Sequence, residues 1–181
     1  MNPLQYNVNG KEFQEKVLPF GEFLWYNAFM DQFLSHNAEE TEAFAESLAV
    51  QLKPGSVVAL FGALGAGKTA FVRGLARGLG CEGEVCSPTF AVMHEYPGGL
   101  SLAHFDMYRV ESWESLESTG FFDYLGGAHV LAVEWSENIL AAIPEDAWRV
   151  TISSGDETAP GEGVNSRLIT AEEGTHAHPG C

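Results

Sequence analysis

The sequence predicts an α/β fold of three layers around a mixed central β-sheet, and three features predict it. Val57-Val58-Ala59-Leu60-Phe61 is a short apolar run that runs into Gly62-Ala63-Leu64-Gly65-Ala66-Gly67-Lys68-Thr69. That octet fits a glycine, four free positions, then Gly-Lys-Thr, and helical spacing follows it. A strand, a glycine loop and a helix start form a nest of backbone N–H groups at a positive helix end. Two apolar runs, Phe90 to Tyr96 and Leu100 to Asp106, flank Pro97-Gly98-Gly99, which is a hairpin signal and makes the sheet mixed. His129 to Trp135 reads as the most buried strand. Together these point to a P-loop NTPase-like fold.

Each element can be justified in chain order. Residues 1–34 crowd Phe20, Phe23, Leu24, Trp25, Phe29 and Phe33 without a clean period. The segment reads as an extra helix or as sequence ahead of a later start at Met30. His36 to Leu52 predicts a helix. Asn37 caps it, Glu39 and Glu40 suit its first turn, and Phe44, Leu48 and Leu52 form an i, i+4, i+8 stripe. Pro54-Gly55 ends it. After the glycine loop, Phe71, Val72, Leu75 and Leu79 mark a helix over 69–79 that stops near Gly78 and Gly80. Ser112 to Thr119 predicts a short helix ended by Gly120. Trp148 to Ser153 and Arg167 to Ala171 read as late edge strands. Residues 154–164 and 173–181 are expected to be mobile because they are rich in Gly, Pro, Ser, Thr and acids. The division is therefore an N-terminal extension over 1–34, one domain over 35–172 and a flexible tail over 173–181.

Size and composition narrow the function. A chain of 181 residues with 45% hydrophobic residues can bury a sizeable single core. No apolar run approaches the ~20 residues of a membrane span, and no basic-then-apolar leader opens the chain. Three cysteines, Cys81, Cys86 and Cys181, suit a reducing cytoplasm better than a disulfide framework. The expected location is cytoplasmic. The net charge is −16, and a surface that acidic repels a phosphate backbone. Tight nucleic-acid binding by this chain alone is not expected; a basic protein partner is easier to reconcile.

The loop predicts nucleoside triphosphate binding. Lys68 would reach the outer phosphates and the Thr69 hydroxyl would hold Mg2+. A second anchor for the metal is needed, commonly an acid ending a buried strand. Val130-Leu131-Ala132-Val133-Glu134 and Leu102-Ala103-His104-Phe105-Asp106 both end so. Parallel strands of such sheets end on the ligand side. Glu134 is favoured for Mg2+, directly or through water. Asp106 is placed near the γ-phosphate, orienting water or the metal. Pro88 pushes Ser87 into an extended conformation, and Thr89 behind it either senses the γ-phosphate, as a switch segment does, or closes a turn with its hydroxyl. His104 is expected to hydrogen-bond within the structure, Arg109 to face an acid or a phosphate, and Trp135 to pack. The lysines are Lys11, Lys16, Lys53 and Lys68, so no Asn-Lys-x-Asp guanine reader follows the loop, and ATP is the expected nucleotide. A small-molecule kinase is the alternative, weakened by the few arginines available for a lid.

Leu64-Gly65-Ala66-Gly67-Lys68-Thr69, Ser87-Pro88-Thr89-Phe90, His104-Phe105-Asp106-Met107-Tyr108-Arg109 and Glu134-Trp135-Ser136-Glu137, in this order and spacing, resemble the bacterial TsaE (YjeE) family. The Glu40-Thr41 pair ahead of the first strand fits as well. The resemblance spans roughly 35–172. It implies a small ATPase, weak alone, needed for the threonylcarbamoyladenosine modification at position 37 of tRNAs that read ANN codons. It further implies work with TsaD and TsaB, with the threonylcarbamoyl-adenylate supplied by TsaC-type enzymes and tRNA met only through the complex. On this resemblance Leu64 to Thr69 and Thr41 bind the nucleotide, Thr69 and Glu134 hold Mg2+, and Lys68, Asp106 and Thr89 serve catalysis. Two departures stand out: residues 1–34 exceed the usual N-terminus, and Ser136 stands where the family often has proline.

Overall fold

A computed structural model of the chain describes residues 14–17, 23–26, 31–88, 90–154 and 166–174. The strands are β1 (Gln14–Val17), β2 (Phe23–Tyr26), β3 (Asp31–Ser35), β4 (Val57–Phe61), β5 (Met93–Tyr96), β6 (Leu102–Asp106), β7 (Val130–Glu134), β8 (Trp148–Ser154) and β9 (Arg167–Glu172). The helices are α1 (Ala38–Ala49), α2 (Lys68–Gly78), α3 (Trp113–Ser118) and α4 (Phe121–Tyr124), with a 3-10 segment over Ser136–Ala142. β1 and β2 form their own antiparallel ladder. The other seven strands form one sheet in the order β3-β9-β8-β4-β7-β6-β5.

β6, β7, β4 and β8 run parallel at its centre, while β5 and β9 run against their neighbours. The sheet is mixed, as the hairpin signal predicts. Every residue of β6 and β7 is buried, as befits parallel strands covered on both faces. β4 alternates its side chains between two cores. Val58 and Leu60 pack with Phe44, Leu48, Phe71 and Leu75 beneath α1 and α2. Val57 and Ala59 pack with Phe105, Leu131, Leu116 and Phe121 on the other side. These are the three layers.

α1 starts where Asn37 caps it, the side chain accepting from the Glu40 amide at 2.8 Å. It ends at Ala49, short of the expected Leu52, which is nonetheless buried in the same core. α1 lies against α2 so closely that glycine is required. A Cβ on Gly74 would stand 2.1 Å from the Glu42 carbonyl oxygen, and one on Gly78 2.6 Å from both the Glu46 carbonyl oxygen and the Ala49 Cβ. Gly78 is therefore both the last residue of α2, as expected, and a packing position against α1.

Three further expectations change. β8 and β9 are interior strands, and the edges are β3 and β5. The alternating burial of β8 gives it an edge-like sequence, yet one well-covered face is enough to produce that pattern. No helix occurs among the described residues ahead of α1; β1, β2 and β3 lie there, and β3 brings residues 31–34 into the central sheet beside β9. The strand expected from Phe90 starts only at Met93. The amides of Ala91 and Val92 both bond the Pro88 carbonyl, at 2.9 and 2.6 Å, and close a turn there instead. Phe20, Phe29, Met30, residues 155–164 and residues 175–181 lie outside the described residues.

Candidate functional site

Gly62–Thr69 links the C-terminal end of β4 to the first turn of α2. Gly62 has φ +141°, and a Cβ there would meet the Ile152 carbonyl oxygen at 2.4 Å, so both conformation and space demand glycine. Gly67, at φ +109°, occupies the cap position of α2 and, being glycine, brings no side chain to bond the amides of the first turn. Those amides stand at the positive end of the helix, the place where the motif would cradle an anion. Leu64, at the tip of the loop, is 83% exposed.

Lys68 is buried beneath the loop. Its Nζ donates to the carbonyl oxygens of Gly62 (2.6 Å) and Ala63 (3.0 Å) and lies 3.7 Å from the centre of the Trp135 ring. Burial pushes this ammonium below the ordinary lysine value, and the carboxylates of Glu134, Glu137 and Asp106 push it back up. Trp135 takes up φ +60°, a strained conformation for a bulky residue. Its ring also meets Tyr108, with centroids 4.8 Å apart. The expectation of packing for Trp135 holds, and what it packs on is the site lysine.

The two carboxylates converge because β6 and β7 are adjacent and parallel, with Asp106 opposite Glu134. Leu60 on β4 is opposite Glu134 from the other side, so both acids end their strands beside the loop. Both are buried. Thr69 Oγ1 donates to Glu134 Oε1 at 2.8 Å. His104 Nε2 lies 2.9 Å from the same oxygen. Asp106 accepts from Ser87 Oγ at 3.1 Å and from the Tyr108 amide at 3.0 Å. The hydroxyl and carboxylate oxygens of Thr69 and Glu134 are hard donors, few in number, which is what Mg2+ takes from a protein when phosphates and water complete its shell. The described residues hold no cluster of three or more His, Cys, Asp or Glu that would make an all-protein cage.

Thr41 reaches the site from the other side. It is buried, shares a 2.8 Å hydrogen bond with Ser35 Oγ, and lines a cavity of about 370 Å³ with Asn37, Gly65, Gly67 and Arg167. Arg167, on β9, donates from Nε to the Ala66 carbonyl at 3.1 Å. Sequence reasoning missed this contact, and no local signal marks it, because a hundred residues separate the partners. Arg109 stands over the Phe90 ring at 5.2 Å. Thr89 lies outside the described residues; its neighbour Ser87 touches Asp106.

A family model described as "Threonylcarbamoyl adenosine biosynthesis protein TsaE" matches residues 35–162. The tRNA threonylcarbamoyladenosine biosynthesis protein TsaE of Treponema pallidum is 42% identical over 120 residues, covering 66% of this chain and 87% of the relative. That of Bacillus subtilis is 43% identical over 123 residues, covering 67% and 77%. Among solved structures, the crystal structure of YdiB from Bacillus subtilis superposes with a TM-score of 0.66 at 34% identity, covering 81% of this chain and 86% of the other.

Proposed function

This chain belongs to the TsaE family, and from that premise we propose that it binds and hydrolyses ATP in the service of tRNA threonylcarbamoyladenosine biosynthesis, acting with TsaD and TsaB. The family is of the nucleotide-binding phosphate-loop type, and its pathway is that modification. The observation that carries the reading furthest is the convergence at the loop: Lys68, Thr69 and two buried carboxylates in adjacent register.

The loop amides from Leu64 to Thr69 would hold the phosphates, and Lys68 would turn to the outermost of them. Thr69 and Glu134 would hold Mg2+, which when bound neutralises phosphate charge. Asp106, fixed by Ser87 and the Tyr108 amide, would orient the attacking water. Thr89 would report the γ-phosphate to the segment around it. Thr41 would line the nucleotide cavity. Phosphoryl transfer of this kind runs on positioning and charge stabilisation, which such a site supplies.

Among the described residues no helix is long and apolar enough to cross a membrane. The formal charge of −16 favours contact with a basic protein surface over direct contact with tRNA. The test is turnover of labelled ATP with and without TsaD–TsaB. Slow phosphate release that the partners accelerate is expected, with GTP a poorer competitor than ATP. Label recovered in a metabolite would establish the kinase alternative, and no turnover in either condition would remove the ATPase reading.

A further inference from the structure

His104 is fully buried on β6, between His94 of β5 and Ala132 of β7 in the sheet register. Its neighbours on the strand are packed apolar side chains, and an apolar residue would pack there without leaving a polar atom behind. The histidine does leave one: Nδ1 is buried and has no hydrogen-bond partner among the described residues. An orphaned buried polar atom is a cost to the fold. The other ring nitrogen accounts for it. Nε2 lies 2.9 Å from Glu134 Oε1, and a carboxylate oxygen only accepts, so Nε2 carries the proton. With no acceptor near Nδ1, that nitrogen is the bare one.

Glu134 Oε1 thus receives two donors, Thr69 Oγ1 from α2 and His104 Nε2 from β6. They approach from different elements and fix the carboxylate against rotation. Oε2 takes no hydrogen bond from the described residues. We propose that His104 is a positioning residue, holding Glu134 by its Oε1 so that Oε2 is presented to the metal that accompanies the nucleotide. This rests on the assignment of Glu134 to Mg2+. Outer partners of a ligating group commonly set metal affinity without touching the metal.

The experiment uses the full chain with ADP and MnCl2 as the probe, read by electron paramagnetic resonance, so that turnover does not enter. His104→Met keeps the bulk and loses the donor; His104→Gln keeps an N–H at similar reach. Expected is Mn2+ binding weakened about tenfold in His104→Met and largely restored in His104→Gln. ADP affinity in EDTA should stay at the wild-type value in both. Equal Mn2+ affinity in wild type and His104→Met overturns the proposal, as does an equal loss of metal-free ADP affinity. Glu134→Gln is the control. If it alone weakens Mn2+ binding, only the role of His104 falls; if it changes nothing, the Glu134 assignment falls first and this proposal with it. Should both His104 variants fail to fold, two-bond 15N–1H spectra of the wild-type chain decide. A proton on Nε2 supports the proposal, and a proton on Nδ1 overturns it.

Discussion

At the scale of single residues, Lys68 has no substitute close at hand. Arg167 is engaged with the Ala66 carbonyl and Arg109 stands over Phe90. Lys68→Ala therefore removes the ammonium from a buried position where the charged groups acting on it are the carboxylates of Glu134, Glu137 and Asp106. A hydrogen bond to a charged group contributes about 1.5–3 kcal/mol, so calorimetry should show nucleotide affinity falling roughly ten- to a hundredfold, with hydrolysis abolished. Unchanged affinity would sink the phosphate assignment. The two carboxylates should separate in kinetics. Glu134→Gln should raise the magnesium concentration needed for activity, whereas Asp106→Asn should lower turnover more than ATP affinity. Superimposable magnesium titrations of the two variants would show the division of labour to be wrong.

At the scale of elements, the contact between α1 and α2 holds the cradle helix in place, and it has an apolar and an ionic part. Gly74→Ala improves helix propensity by about 1 kcal/mol, but its Cβ would sit 2.1 Å from the Glu42 carbonyl oxygen and 2.8 Å from the Ala45 Cβ. Backbone cannot yield as a flexible side chain does, so overpacking should win. A net loss of about 1–3 kcal/mol in urea unfolding is expected; a stabilised variant would refute the close approach. The ionic part is Glu42 with Arg73 at 2.8 Å and Arg77 at 2.6 Å. Burial pushes the Glu42 carboxyl up, but hydrogen bonds and charge from both arginines outweigh it and hold the group below its ordinary 4.5. A carboxyl lower in the folded than the unfolded chain stabilises above the unfolded value and loses that contribution as pH falls through the folded one. Glu42→Gln should therefore lower the melting temperature at neutral pH, and the gap to wild type should close as pH drops below 4.5. A gap constant across that range would show that the charge contributes nothing.

At the scale of the whole molecule, acids outnumber bases 25 to 9, and two of the five arginines are already paired with Glu42. Non-specific affinity for nucleic acid comes mainly from cations that displace counterions. A filter assay with tRNA and the isolated chain should stay blank at physiological salt. Docking on TsaD–TsaB should instead depend on the bound nucleotide, because a switch needs different partner affinities in different states. Phe90, 90% exposed on the turn that follows Ser87-Pro88-Thr89, gives that segment an apolar contact to offer. Thr89→Ala should weaken nucleotide-dependent pull-down more than nucleotide binding. Sub-micromolar tRNA binding alone, or docking indifferent to nucleotide, would defeat this reading.

The sequence by itself determined the strand, glycine loop and helix from Val57 to Gly78, because turn chemistry and periodicity there are local properties. It also placed Asn37 at a helix start and acids at the ends of β6 and β7, since apolar runs closed by a charge are visible in one dimension. Tertiary structure alone decided which strands neighbour one another. An interior strand with one well-covered face alternates like an edge strand, so β8 and β9 could not be placed from their own residues. Only the parallel pairing of β6 with β7 brings Asp106 beside Glu134, and only the fold brings Arg167 to Ala66 and Trp135 over Lys68. Gly78 ends α2 as its sequence suggests, but only the fold shows that it and Gly74 are also a helix–helix contact, because what excludes a side chain there is α1, some thirty residues earlier in the chain.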